Sequence, residues 1–111
     1  MEIVKREEKD NCVRVAVKGR IDAVTAPEFE AELNQWVSQG TADLLMDLNG
    51  LDYISSAGLR SILGITKKLK KDGRALMLCS LRDTVKEVFD ISGFSTIIPI
   101  YDSPEAALKK R

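Results

Sequence analysis

Two adjacent serines, Ser55 and Ser56, lie where the sequence changes from one pattern to another. The apolar run at residues 44–48 is typical of a buried strand, and apolar residues then recur at helical spacing at Leu59, Ile62, Leu63, Ile65 and Leu69. Residues 52–59 are therefore predicted to form a loop that leads from a strand into a helix. A serine there can cap the helix, and a phosphate attached to it would meet unpaired backbone N–H groups and the positive end of the helix dipole. The local residues leave both interpretations open, a cap or a modified side chain.

The composition indicates one globular domain over residues 1–111. Hydrophobic residues make up 44% of the chain, which is enough for a single core. Because 17 basic and 17 acidic residues cancel, no general electrostatic field favours nucleic acid or anionic lipid as a partner. No apolar run approaches the ~18 residues of a membrane span, and the N-terminus lacks the apolar core of a signal peptide. We therefore expect a cytoplasmic protein.

The sequence motifs of the common enzyme classes are missing. The chain has no histidine, which excludes a Ser-His-Asp triad and a histidine metal site. Neither of the glycine-rich phosphate-binding motifs, G-x-x-x-x-G-K-[ST] and a G-x-G-x-x-G after a strand, occurs. Cys12 and Cys79 are far apart in apolar surroundings, so we expect buried free thiols rather than a disulfide. The sequence therefore predicts no catalytic activity, no metal and no cofactor.

The apolar patterns predict an α/β domain with the element order β-β-α-β-α-β-α-β-α. A polar turn at residues 9–11 separates the strands of an N-terminal hairpin, and further strands are predicted at residues 43–48, at residues 74–79 and at residues 96–98 or slightly beyond. Pro99 limits the last of these to a sheet edge or a strand end. Strand-helix-strand units with short connections require mostly parallel pairing. We therefore predict a mixed, mostly parallel sheet that carries an N-terminal β-hairpin.

A polar turn precedes the first predicted helix. Thr25 and Glu28 have the spacing of a capping box, in which the threonine hydroxyl accepts a hydrogen bond from the glutamate N–H. Asp22 lies three residues earlier, where an acidic residue is common in a turn. The helix is predicted to begin directly after Thr25.

Three segments of the chain resemble the STAS family, whose bacterial single-domain members are anti-sigma factor antagonists. Residues 19–22 with 25–26 resemble the family's G-x-(Leu/Ile)-D-x-x-(Thr)-A segment, residues 47–48 and 56–59 its strand and phosphorylation loop, and residues 88–93 its late helix and turn. The resemblance implies a fold with the predicted element order and with the phosphorylation loop before the second helix. Aligned on Gly58 and Leu59, the phosphorylated residue of the family is Ser56. Ser55 stands where an acidic residue often precedes it.

The resemblance implies a binding switch. The unphosphorylated form binds an anti-sigma factor that is also a serine kinase and so frees a sigma factor; phosphorylation of Ser56 ends the binding, and a phosphatase resets the switch. The partner-binding residues that this implies, in a protein expected to be a monomer when free, are Asp22, Ser55, Ser56, Ala57 and Gly58. Asp22 could instead be only a turn acid, and Gly58 could serve only close backbone approach. The alternative function is a STAS scaffold or small-ligand-sensing module in a larger regulatory assembly, with Ser56 as a cap only.

Overall fold

The computed structural model describes residues 1–38 and 40–111, without the side chains of residues 6–8. Within this part of the chain, the strands are Glu2–Lys9 (β1), Cys12–Ile21 (β2), Asp43–Asp47 (β3), Leu51–Ile54 (β4), Leu76–Cys79 (β5) and Ile100–Tyr101 (β6). The α-helices are Ala26–Ser38 (α1), Ser56–Lys71 (α2), Asp83–Ser92 (α3) and Pro104–Lys109 (α4), and a short 3-10 helix spans Phe94–Thr96.

The strands form a single mixed sheet in the order β1-β2-β3-β5-β6. β1 pairs with β2 in antiparallel orientation, and the pairs β2–β3, β3–β5 and β5–β6 are parallel. Asp10 and Asn11 have φ values of 53° and 59°, which suit the tight turn that joins two antiparallel strands. The predicted fold class, with its N-terminal hairpin and mostly parallel sheet, is confirmed.

The two faces of the sheet carry separate cores because side chains alternate along each strand. Val15, Met46 and Leu78 belong to the larger core, which also contains the buried residues of α1, α2 and α3. The neighbouring strand positions Leu45 and Met77 belong to a smaller core, which the short α4 covers through Ala107, fully buried there. Three helices therefore lie against one face, and the last helix lies against the other.

The predicted loop at residues 52–59 is wrong at both ends, because residues up to Ile54 form β4 and α2 begins at Ser56. Residues 12–16 of β2 pair with β3, and residues 19–21 of the same strand pair with β4. The change of partner lies between Ala16 and Gly19. An irregularity in the pairing with β4 follows between Gly19 and Arg20, and Gly19, which has a φ of +92°, donates a hydrogen bond to the carbonyl of Gly50 over 2.9 Å. β4 thus extends the sheet beside β2 after β3 has ended.

The predicted strand at residues 96–98 is also wrong. This segment continues the 3-10 helix, in which the N–H groups of Ile97 and Ile98 both donate to the carbonyl of Phe94. The strand begins after Pro99 instead, and its two residues pair with Leu78 and Cys79 at the sheet edge. Proline lacks an N–H group but keeps its carbonyl, so the carbonyl of Pro99 accepts from Leu78 just before the strand starts.

Helix α2 approaches the ends of β2 and β4 closely at Gly58. A Cβ atom at this position would lie 2.8 Å from both Ile21 Cγ2 and Ile54 Cγ1, which is far inside normal carbon contact. Gly64 lies on the same helix with no atom within 4 Å of such a Cβ. The two glycines therefore occupy opposite environments in one helix, and only Gly58 is needed for close packing.

We predict that Gly58→Ala and Gly64→Ala change stability in opposite directions. Gly58→Ala should lower the free energy of unfolding by roughly 1–3 kcal/mol through overpacking. Gly64→Ala should raise it by about 0.5–1 kcal/mol, because alanine has the higher helix propensity. Urea unfolding of both variants beside the wild type measures the two values. A Gly58→Ala protein as stable as the Gly64→Ala protein would show that α2 does not pack against the sheet at this point.

We predict slow reaction of both cysteines in the folded protein. Burial raises the pKa of Cys79 to about 11 and also raises the pKa of Cys12, and the thiolate is the reactive form. Modification by a thiol reagent at pH 8 should be slow in buffer and rapid in denaturant. Ser56→Cys offers a matched control, because residue 56 is exposed, and its thiol should react at once in buffer. Rapid modification of the wild type in buffer would contradict the packing of the smaller core, to which both cysteines belong.

Candidate functional site

The candidate site lies where the parallel strands β2 and β4 end beside each other. Ile21 is the register partner of Ile54, and the N–H of Ser55 donates to the carbonyl of Ile21 over 2.9 Å. Asp22 and Ser55 therefore follow two paired residues. The structure brings all five predicted site residues to this one corner of the sheet, Asp22 from the end of β2 and the residues Ser55, Ser56, Ala57 and Gly58 from the start of α2.

The two serines have different structural environments. Ser55 is the N-cap of α2, with extended backbone at φ −91° and ψ 173°, and its hydroxyl accepts a hydrogen bond from the N–H of Gly58 over 3.3 Å. Ser56 is the first helical residue and is exposed, and its hydroxyl makes no hydrogen bond within the described part of the chain. Ser55 therefore performs the capping, and the hydroxyl of Ser56 faces solvent.

Apolar contacts hold the start of α2 on both sides of the serines. Ile54 and Leu59 are buried in the larger core, and Ala57 packs against it from a partly buried position. Gly58 is buried between Ile21 and Ile54. The backbone that carries Ser56 is thus anchored immediately before and after the exposed side chain, which favours a defined presentation of the hydroxyl.

Asp22 organises the turn before α1. Its Oδ1 accepts hydrogen bonds from the N–H groups of Val24 and Thr25, both over 3.0 Å, and from the Thr25 hydroxyl over 3.3 Å. The donation from the backbone of Thr25 is the main reason why the pKa of this carboxyl lies below its usual value. The predicted capping box is wrong, because Thr25 Oγ1 accepts from the N–H of Asp22 over 2.9 Å rather than from Glu28.

Several residues around the site were missed by the sequence analysis. The guanidinium of Arg20 lies 4.3 Å from the ring centroid of Tyr53, and Arg20 Nε lies 3.8 Å from Asp22 Oδ2. Val24, in the turn that Asp22 organises, is 86% exposed. The alternation Arg20-Ile21-Asp22 was a signal for a common exposed face, but Tyr53 joins that face only through the unforeseen pairing of β4 with β2.

The remaining acid near the serines is paired. Asp52 Oδ1 accepts a hydrogen bond from Arg82 Nη1 over 2.6 Å, which links β4 to the residue before α3. Both side chains are more than half exposed, so the pair adds little to stability. It nevertheless places a cation beside this carboxylate, and the loop next to Ser56 is less acidic than the sequence alone indicates.

Neither a metal site nor a membrane-spanning helix is observed in the described part of the chain. Among residues 1–38 and 40–111, no three His, Cys, Asp or Glu side chains are grouped so that they could hold a metal ion. In the same part of the chain, none of the helices has both the length and the apolar character that crossing a membrane requires.

Comparison with known proteins identifies the family of this domain. The sequence model of the STAS domain matches residues 4–107. The chain is 43% identical to BtrV of Bordetella bronchiseptica, which is named as a candidate anti-sigma factor antagonist, over 88% of this chain and 84% of BtrV. It is 35% identical to the anti-sigma-B factor antagonist of Bacillus subtilis, over 96% of this chain and 94% of that protein.

The fold is also that of a solved structure, the Bacillus cell fate determinant SpoIIAA in its phosphorylated form. The two superpose with a TM-score of 0.74 over 99% of this chain and 100% of that one, at 19% identity. The family match spans nearly the whole described sheet, helices α1 to α3 and the first part of α4, including the corner that carries Asp22 and Ser56. The chain therefore belongs to the STAS domain family.

Proposed function

We propose that this protein is an anti-sigma factor antagonist whose binding to its anti-sigma factor is switched off by phosphorylation of Ser56. The observation that carries the proposal is the separation of roles between the two serines. Ser55 uses its hydroxyl to cap α2, whereas Ser56 exposes its hydroxyl on an anchored helix start. A kinase can therefore reach Ser56 without breaking a hydrogen bond that the fold uses.

The modification itself is a phosphoryl transfer to the hydroxyl of Ser56. The Oγ atom attacks the γ-phosphorus of ATP held by the kinase, the new O–P bond forms as the bond to ADP breaks, and the hydroxyl proton passes to a base of the kinase. The product carries about −1.5 to −2 additional charge. This charge is tolerated by the fold, because the start of a helix is the positive end of its dipole.

The charge of the phosphate also lowers the affinity for the partner. The phosphate enters a corner that already carries the ionised carboxylate of Asp22, whose pKa is lowered by its turn. An acidic partner surface that accepts this corner in the unmodified state then faces an added anion, and like charges across an interface cost several kcal/mol. Since about 1.4 kcal/mol corresponds to a factor of ten in affinity, phosphorylation is sufficient to end the binding without a change of fold.

The relatives support this assignment by name. BtrV and the Bacillus subtilis protein are named as antagonists of anti-sigma factors, and SpoIIAA has a phosphorylated form. We infer from this that the partner is an anti-sigma factor with serine kinase activity in the cytoplasm and that a phosphatase resets the switch. We also infer that this chain, a single domain over residues 1–111, is itself not an enzyme.

We predict that substitutions of the two serines separate stability from phosphorylation. Ser55→Ala should lower the free energy of unfolding by about 1 kcal/mol, the usual effect of losing an N-cap, and should still be phosphorylated by the kinase. Ser56→Ala should take no phosphate, should bind the anti-sigma factor as the wild type does, and should change stability by less than about 0.5 kcal/mol. Kinase labelling with site mapping, urea unfolding and a binding titration measure the three properties.

An acidic substitution completes this experiment. Ser56→Glu should fold and should bind the anti-sigma factor more weakly than Ser56→Ala, because it adds charge at the same position. Phosphate on Ser55 with Ser56 unmodified would contradict the choice of residue. Equal affinity of Ser56→Ala, Ser56→Glu and the phosphorylated wild type would contradict the switch and favour the scaffold or ligand-sensing alternative.

We predict that Asp22 stabilises the turn in its ionised form. A carboxyl whose pKa is lowered by folding stabilises the protein above its unfolded pKa, and this contribution disappears as the pH falls through the folded pKa. Asp22→Asn should therefore be less stable than the wild type at pH 7, and the difference should shrink toward pH 3. Glu87→Gln, at an exposed position on α3, serves as the matched control in the urea series.

The same variant tests the partner contact. Asparagine keeps an oxygen acceptor for the turn and removes the charge, so weaker binding of the anti-sigma factor by Asp22→Asn at pH 7 would assign a contact to the carboxylate. A stability difference between Asp22→Asn and the wild type that stays constant from pH 7 to pH 3 would contradict the ionised turn.

A further inference from the structure

Arg60 lies one helical turn after Ser56 on α2 and is exposed. Its guanidinium makes no hydrogen bond or ion pair to any residue that the structure describes. It lines a shallow groove between the starts of α1 and α2, together with Ala57, Ser61 and Glu30. Across this groove, Glu30 Oε2 accepts a hydrogen bond from the Ser61 hydroxyl over 3.1 Å, so the carboxylate is held by the neighbouring serine rather than by Arg60.

The spacing of Ser56 and Arg60 suits an ion pair along the helix. Residues four apart lie on the same face of an α-helix, and the favourable orientation has the anion nearer the N-terminus. Helical side chains also lean back toward the N-terminus, which directs Arg60 over the turn that begins with Ser56. A guanidinium can bind phosphate through two parallel hydrogen bonds.

The other arginines at this corner are already engaged. Arg20 contacts the ring of Tyr53 and lies near Asp22, and Arg82 is paired with Asp52. In the described structure both of these cations are thus engaged, each beside a carboxylate, that of Asp22 or that of Asp52. Arg60 remains as the arginine that a new anion at Ser56 can recruit without breaking an existing contact.

We propose that Arg60 is the intramolecular partner of the phosphate on Ser56. The guanidinium is free in the unmodified protein and pairs with the phosphoserine one turn away once it forms. Phosphorylation then changes the partner-binding surface in two ways, because it adds an anion and withdraws an exposed cation. The inference rests on the proposed phosphorylation of Ser56 and specifies how the modified residue is held.

The pairing can be measured on protein in which phosphoserine is incorporated genetically at position 56, so that neither the kinase nor the anti-sigma factor is needed. Phosphorus NMR follows the second ionisation of the phosphate, whose pKa is about 6 in an unperturbed phosphoserine. At physiological ionic strength, Arg60→Gln should raise this pKa by about 0.3, the equivalent of one intrahelical ion pair. Arg60→Lys should retain much of the wild-type value, because it keeps the charge.

Lys67→Gln is the matched control. It removes one positive charge from an exposed position of the same helix, about 16 Å along the axis from Ser56, which is beyond the screening length of ~8 Å at physiological salt. Its phosphate pKa should equal that of the wild type. The same pKa in the wild type and in Arg60→Gln would overturn the pairing, as would an equal shift in Lys67→Gln. Neither result would contradict the proposed switch itself, which is tested by the separate binding titration of the serine variants.

Discussion

The contact between α2 and the paired ends of β2 and β4 is the constraint on which the site depends. Gly58 permits it, because any larger residue would meet Ile21 and Ile54. The same contact sets the direction in which the helix leaves the sheet, and Ser56 is exposed as a consequence. The first turn of α2 thus carries both the buried contact at Gly58 and the exposed hydroxyl of Ser56. The fold and the proposed switch therefore depend on the same packing contact.

The polar side chains of this corner form two groups, one that makes hydrogen bonds within the fold and one that is exposed without such bonds. Ser55 and Asp22 satisfy backbone N–H groups of the chain itself, whereas Ser56 and Arg60 have no hydrogen-bond partner in the described structure. The first pair stabilises the turn and the helix start. The second pair is available to a kinase, a partner or, after modification, each other. This division explains how a large change of charge at Ser56 can alter binding and leave the two cores intact.

Local patterns in the sequence were sufficient for much of this structure. The helical periodicity around Ile62 was correct, and the close approach at Gly58 was foreseen as one interpretation of a glycine in that position. β4 was missed because it has only four residues and its two central side chains, Asp52 and Tyr53, are both exposed, so it lacks the alternation of an ordinary strand. Its pairing depends on a change of partner along β2 that no local pattern encodes.

The candidate site was also predicted only in part. The serines and Asp22 stand in segments with recognisable spacing, and all of them lie at one corner of the sheet. The contact of Arg20 with Tyr53 joins residues more than thirty positions apart, and the hydrogen bonds of Asp22 within the turn replaced a capping box that had the expected spacing. In both cases the sequence alone was compatible with more than one local arrangement, and contacts within the folded domain determined which one formed.

The central claim is that phosphorylation changes the charge of one corner on an unchanged scaffold. Two-dimensional ¹H–¹⁵N NMR spectra of the protein before and after complete phosphorylation of Ser56 test it directly, because each amide reports its own surroundings. The account predicts signal shifts near the start of α2 and the adjoining ends of β2 and β4, with the amides of β1, β3 and β5 unmoved. Shifts that spread through β3 and β5, or a loss of dispersed signals, would contradict it and point to a change of fold as the basis of the switch.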